Sequence, residues 1–328
     1  MSNVVSANSP LRKLDPAVLT AFGCILVLLL VAAVINENFL SPDYLLAQLQ
    51  VASFLALMST GMMLVILLGQ IDLSLPWIIT VGGMMSTAAA GWGPWGPVIA
   101  MPVGVLCGIV FGFINGIGVA YLRVPSMIFT LGINAVAQGV MIVRTGGAAP
   151  QDMATESMHD LATGRLILGI PNPVWVWVVV GAATVFLLRR TVFGRAVYAI
   201  GNREIAAYLS GIRTQRVVLA AFAISGGLAA LAGTLLAGYS TKAYQGMGNP
   251  YLLPAIAAVV LGGTSILGGR GTYLGTVAGV ILITLLQSIL SVIRVPGFEI
   301  TEAHRQIVYG IVIIAMLLLY GRGAKVAA

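Results

Sequence analysis

Apolar residues fill the chain in runs long enough to cross a membrane, and the polar positions collect between the runs. Segments 17–35, 44–69, 76–90, 97–121, 126–143, 172–188, 217–237, 252–267, 272–292 and 305–320 make about ten candidate membrane helices. In hydrocarbon each backbone donor and acceptor must be satisfied inside its own segment, so runs of about 20 apolar residues predict helices. The third and eighth runs are short and interrupted by glycine, which leaves eight to ten segments open. The pattern lacks the dyad alternation of a membrane β-barrel. Ser41-Pro42, Asn172-Pro173 and Asn249-Pro250 each set a capping side chain before a proline suited to a first helical position, and so predict helix starts. The expected fold is all-α, a polytopic helical membrane protein forming one domain over residues 1–328.

One polar interruption, Ala199 to Arg216, carries three arginines and a short amphipathic segment. Asn202 is placed to cap it, Glu204 stands in the first turn where the helix dipole favours a negative charge, and Gly211 is placed to end it. Ile205, Ala206, Leu209 and Ile212 recur at helical spacing, with Arg203 and Ser210 off the stripe. Two or three turns cannot span a bilayer. The segment is either a membrane-surface connector or a docking helix for a partner.

Composition sharpens this picture without changing it. Hydrophobic residues make up 59% of 328 and charged residues 8%, which excludes an ordinary soluble globule. Placing the amino terminus inside puts Arg12, Lys13, Arg123, Arg189, Arg190, Arg195, Arg203, Arg213, Arg216, Arg270, Arg322 and Lys325 on one side. Arg144, Arg165, Lys242, Arg294 and Arg305 fall on the other, so 12 of the 17 basic residues are expected at the cytoplasm. Both termini are then cytoplasmic, with a tail over 1–16, while the loop 144–171, bearing Asp152, Glu156 and Asp160, lies outside. The net charge of +7 is a topology signal; the basic residues form no single patch interleaved with aromatics, and no nucleic-acid partner is expected. The first run, preceded by Arg12 and Lys13, is expected to be an uncleaved helix. Cys24 and Cys107 sit in apolar runs as small hydrophobes, without disulfide or metal spacing.

Glycine and the sparse polar residues supply the remaining signals. Gly104, Gly108, Gly112 and Gly116 recur every four residues, as do Gly271, Gly275 and Gly279. Such ladders let two backbones approach closely, within one subunit or across a dimer seam. Asp72 and Ser74 precede Pro76, and a carboxylate at that depth is either a cap for the third helix or a functional group. With Gln70, Asn115, Thr130, Asn134 and Gln138 they are the candidates for a substrate path, although amides and hydroxyls in membrane helices also bond simply from helix to helix.

Four stretches in register carry a resemblance: GQIDLSLPW at 69–77, RVPSMIFTLG at 123–132 with VRTGG at 143–147, FGRAVYAIGNREIAAYLSGI at 193–212, and AIAAVVLGGTSILGGRGTYLGT at 255–276. Together they resemble the permease subunits of bacterial ATP-driven sugar importers of the ribose/xylose/galactose type, with likeness over nearly the whole chain. The resemblance implies a multi-pass protein of the bacterial inner membrane that pairs with a second copy of itself. It further implies a separate cytoplasmic ATP-binding-cassette ATPase that binds ATP and Mg, and a periplasmic sugar-binding protein facing the loop 144–171. The chain itself would hold no cofactor and catalyse nothing; it carries no GxxxxGK[ST] phosphate loop. Gly194, Arg195, Gly201, Asn202, Arg203, Glu204, Ala206, Ala207, Ser210 and Gly211 match the coupling segment of that family, within a cytoplasmic loop over 189–216.

Two departures bear on substrate. Gln70 replaces a glycine of the pattern, and Leu75-Pro76-Trp77 replaces small residues, which predicts a kink and a bulky ring beside the path. Other classes remain as alternatives: a permease for branched-chain amino acids or nucleosides, or an ion-coupled secondary transporter with Asp72 as its carboxylate. A membrane enzyme needs a catalytic cluster, and His159 and His304 stand without a matching constellation.

Overall fold

The computed structural model describes residues 16–35, 37–292, 301, 303–311 and 314. The expected tail up to residue 15, most of the last run, and Arg12, Lys13, Arg294, Arg322 and Lys325 lie outside the described residues.

The described chain is helical, with two isolated bridges, Met153 to Lys242 and Ile167 to Ile170, as its extended pairings. In order the helices are α1 (Pro16–Ile35), α2 (Pro42–Leu67), α3 (Leu75–Ala90), α4 (Gly96–Ala120), α5 (Ser126–Thr145) and α6 (Glu156–Thr163). They continue as α7 (Asn172–Arg190), α8 (Val192–Asn202), α9 (Glu204–Leu209), α10 (Thr214–Tyr239), α11 (Leu252–Leu261) and α12 (Tyr273–Val292). Among the described residues six helices are long and apolar enough to cross a membrane, and shorter apolar helices cover Thr20–Val34, Leu75–Ala90 and Asn249–Leu261. The protein is a polytopic helical membrane protein.

At its centre stands α2, packed against α7, α10, α11 and α12. Its apolar window is 89% buried, against 22% for α4 and for α5, so α2 is a core helix and the other two keep a broad open face. Burial turns hydroxyls inward along α2: Ser53 donates to Leu49 O and Thr60 to Ala56 O, each closing on its own preceding turn. Gln50 Nε2 donates to Ala162 O at 2.7 Å and ties the short helix α6 to this core.

The first glycine ladder is the seam between α4 and α10. A Cβ on Gly108 would stand 2.4 Å from Gly226 O, one on Gly112 would stand 2.2 Å from Phe222 O, and Gly116 meets the α10 backbone at Leu219, while Gly104 packs on Gly82 and Ser86 of α3 beside the Thr234 hydroxyl. In the second ladder Gly275 packs on the backbone of Gly262 and Gly279 on that of Ala258. Both ladders therefore pack within the chain. With no side chain between them the helices gain dispersion contacts that lipid cannot offer.

Several sequence expectations are corrected. The eighth run was expected to reach 267, but α11 stops at Leu261, where Gly262 and the positive-φ Gly263 release the chain into a loop over 262–272. The third run is a continuous helix; Gly82 and Gly83 admit Ala230 and Gly233 of α10 instead of breaking it. Pro76 sits in the first turn of α3, where a missing N–H costs nothing, so it makes no kink, and Trp77 is buried. Ser41 caps α2 as expected, accepting from Tyr44 N. Asn172 does not cap α7: its side chain accepts from Leu166 N and donates to Asp160 O, pinning the loop ahead of the helix. Asn249 opens a 3-10 turn in place of an α-helix.

Candidate functional site

At the turn between α2 and α3, residues 69–74 leave backbone donors inside the bundle, and neighbouring helices supply the acceptors. Ser126 Oγ accepts from Ile71 N at 3.2 Å, and Thr130 Oγ1 accepts from Leu73 N at 2.9 Å. Both lie in the first turns of α5. Asp72 accepts from Ser74 N at 2.9 Å and from the Ser74 hydroxyl, and Asn115 of α4 donates to Ser74 Oγ at 2.7 Å. Asp72, Ser74, Asn115 and Thr130 are thus brought into one buried tie joining α3, α4 and α5. Asp72 Oδ2, Asn115 Oδ1 and Asn134 Oδ1 are buried without a hydrogen-bond partner in the chain.

The other path candidates stand apart from this tie. Gln70 is half-buried where α2 ends, its backbone N–H donating to Val65 O. Asn134 is half-buried one turn beyond Thr130, and Gln138 is exposed on the open face of α5, beside Gly139, whose Cβ position meets no atom within 4 Å.

The coupling candidates lie at the same end of the bundle. Sequence reading saw one capped helix here; the structure has two. The 11-residue α8 starts at Thr191, whose Oγ1 accepts from Gly194 N, and ends at Asn202. Asn202 therefore does not cap the docking segment; its amide donates to Tyr198 O, and Arg203, in an extended conformation, takes the cap position of α9. Gly211, at φ +84°, ends this segment as expected. Alternation of small and large residues in VFGRAVYAIGN was the available signal for α8, since Gly194, Ala196, Val197 and Ile200 form its buried face.

Of α9 the buried residue is Ala207, while Ile205, Tyr208 and Leu209 are 71%, 66% and 79% exposed. The stripe read from the sequence thus faces outward. Glu204 is paired within the chain: Arg123, before α5, donates to its Oε1 at 2.6 Å. Ser210 donates to Ala206 O, and Arg195 is exposed on α8.

Behind α8 three distant segments meet backbone to backbone. Gly269 N donates to Leu67 O at 2.9 Å, and a Cβ on Gly201 would lie 1.9 Å from that same oxygen and 2.4 Å from Gly269 N. Gly268 packs against Gly69 N and Gly201 O, and Gly269 against the Asn202 amide. Tyr198 Oη donates to Gly271 O at 2.9 Å, and burial pushes this phenol up from its ordinary pKa, against a smaller opposing pull from Arg189. The end of α2, the end of α8 and the loop after α11 therefore form one junction, next in the chain to the Asp72 turn.

The opposite end is equally well tied. Ala154 N donates to Thr241 O, His159 Nδ1 contacts Gly238 O at 3.0 Å, and Arg165 lies 3.7 Å from Asp43. Arg123, Glu204 and Arg270 thus share one end with the 189–216 segment, and Asp43, Arg165 and Lys242 share the other.

Among known proteins, residues 44–317 match the family model described as branched-chain amino acid transport system, permease component. The chain is 34% identical to ribose import permease protein RbsC of Haemophilus influenzae over 91% of each protein. It is 36% identical to the protein of that name from Bacillus subtilis, covering 94% of this chain and 92% of the relative. It is also 31% identical to autoinducer 2 import system permease protein LsrC of Escherichia coli O157:H7, covering 93% and 86%. No solved structure matches.

Proposed function

The chain belongs to the family of branched-chain amino acid transport system permease components, and from that premise we propose that it is the membrane-spanning subunit of an ATP-driven sugar importer in a bacterial inner membrane. The observation that carries the cargo class is the end-to-end likeness to ribose import permeases, at 34% and 36% identity over nine tenths of both partners. A branched-chain amino acid cargo is the second reading, favoured by the family's description. Uptake of labelled ribose, xylose, galactose and leucine by cells with and without the gene separates the two.

In this reading a separate ATPase binds ATP and Mg and docks on α9, and a periplasmic binding protein delivers the sugar at the end holding residues 144–171. The full count of eight to ten spans with both termini cytoplasmic belongs to the same proposal, supported by the short apolar helices 20–34, 75–90 and 249–261 beside the six long ones. A second copy of the chain is expected against α5. Gln138 on its open face carries an amide that hydrocarbon would leave unsatisfied and that a partner helix or a polar path would satisfy. Gln70, Asp72, Ser74, Asn115, Thr130 and Asn134 then stand behind the path wall that α5 forms, and Gln138 on it.

Docking is carried by the outward Ile205, Tyr208 and Leu209, which are aromatic and aliphatic anchors of the kind that dominate interfaces. Leu209→Asp should lower affinity for the ATPase by about tenfold or more, with membrane insertion unchanged because Leu209 is 79% exposed. Co-purification of the ATPase alongside sugar uptake reads this, and full co-purification with normal uptake would overturn the assignment of α9. Glu204 is a poorer probe, because its replacement also breaks the exposed pair with Arg123, itself worth only about 0.2–1 kcal/mol.

A further inference from the structure

Between α8 and the start of α10 lies a groove of about 660 Å³. Its lining mixes apolar side chains, Val192 and Phe193 of α8 with Ile212 and Val217, and basic ones, Arg195, Arg213 and Arg216. A second groove, of about 550 Å³, opens on the far side of Arg213 and Arg216. Residues 189–216 hold six arginines and one carboxylate, Glu204, which is already engaged by Arg123. Arg195, Arg213 and Arg216 are exposed and make no ion pair among the described residues. The groove therefore combines strongly cationic and apolar lining, and it sits where α7 has just ended and α10 is about to begin.

We propose that this groove seats an anionic phospholipid of the inner leaflet, its phosphate held by Arg213 and Arg216 with Arg195, its glycerol and upper acyl carbons lying on Val192, Phe193 and Val217. Guanidinium groups bind phosphate through paired N–H donors, and basic pockets beside membrane helices on the cytoplasmic side collect anionic headgroups. The inference rests on the cytoplasmic placement of α8 and α9 proposed above. It separates two surfaces: the apolar face of α9 serves a protein, and the basic groove beside it serves the bilayer. Val192, 72% exposed at the start of the amphipathic α8, favours the lipid occupant, because an acyl chain covers it while α8 lies along the interface.

The test uses the purified full-length permease in nanodiscs of mixed phosphatidylglycerol and phosphatidylcholine, with retained lipid counted by native mass spectrometry. Preferential retention of phosphatidylglycerol is expected. The double variant Arg213→Gln/Arg216→Gln should lose it several-fold, while Arg189→Gln/Arg190→Gln, at the exposed end of α7 and outside the groove, should retain it. Equal retention in the two double variants would overturn the proposal, as would displacement of the lipid by millimolar inorganic phosphate, which would make the groove a free-anion site. Co-purification of the ATPase, measured on the same samples, reads the docking assignment separately. If the Arg213/Arg216 variant loses the ATPase but keeps its phosphatidylglycerol, the groove belongs to the protein partner and the lipid assignment fails.

Discussion

Asp72 receives two bonds from Ser74 through a single oxygen and leaves the other oxygen buried without a partner. Neither Asp72 nor Ser74 caps α3 with its side chain; Asp72 closes the turn ahead of the helix through its first oxygen, so the second separates a role in that turn from a role in transport. Asp72→Asn keeps an acceptor for Ser74 and removes the ionisable group. Its thermal unfolding in detergent should lie within about 1 kcal/mol of the parent, the scale of one neutral hydrogen bond, while sugar uptake falls markedly. Normal uptake would confine Asp72 to closing the turn ahead of α3. The sequence had singled out Asp72, Ser74, Asn115 and Thr130 one by one, as polar residues in apolar runs. Their convergence was not legible, because it depends on α5 folding back so that Ser126 and Thr130 reach the amides of Ile71 and Leu73. The pairing of Arg123 with Glu204, 81 positions apart, was hidden for the same reason.

Among the elements, small residues decide which helices touch. Gly108→Ala would bring a Cβ to 2.2 Å from the Ala230 methyl and 2.4 Å from Gly226 O, forcing α4 and α10 apart at a cost of about 1–3 kcal/mol. Gly139→Ala, in open space on α5, should leave the monomer as stable as before. Thermal melting of the two variants checks the contrast, and equal melting temperatures would contradict the seam between α4 and α10. Periodicity alone located the ladder but not its partner, since α10 answers with Leu219, Phe222, Gly226 and Ala230, which are not all small. The helices themselves were mostly legible, because a membrane-length apolar run admits few other conformations. Failures came where that rule lapses. α8 is half-apolar and too short to span, and α11 ends at Gly262 because a paired glycine with positive φ interrupts a run that stays apolar to Leu267.

Viewed as a whole, the molecule sorts its charges between two ends, and the structure supplies contacts that fix the members of each. Arg123, Glu204 and the 189–216 segment belong together, as do Asp43, Arg165 and Lys242. The proposed orientation, with the 189–216 end at the cytoplasm, rests on the basic excess there. Single-cysteine variants at Ser210 and at Gln151, both exposed, provide the check in intact cells. A membrane-impermeant maleimide should label the cysteine at Gln151 and spare the one at Ser210, and the reverse pattern would invert the topology.

The junction of Leu67, Gly201 and Gly269 also sets an order of assembly. Its three strands of backbone come from early, middle and late in the chain, and the last of them leaves the ribosome after α11 has been made. Until then the end of α8 has no loop to lean on, and Tyr198 has no carbonyl at Gly271 to reach. A nascent chain stopped at Leu261 should therefore present residues 199–211 as a loose segment, cut by added protease where the finished protein resists. Resistance of the shortened chain would show that α8 is set without the loop. If the cut is seen, the surface proposed to take the ATPase becomes firm only when synthesis is nearly done, and an unfinished chain has nothing rigid to offer there.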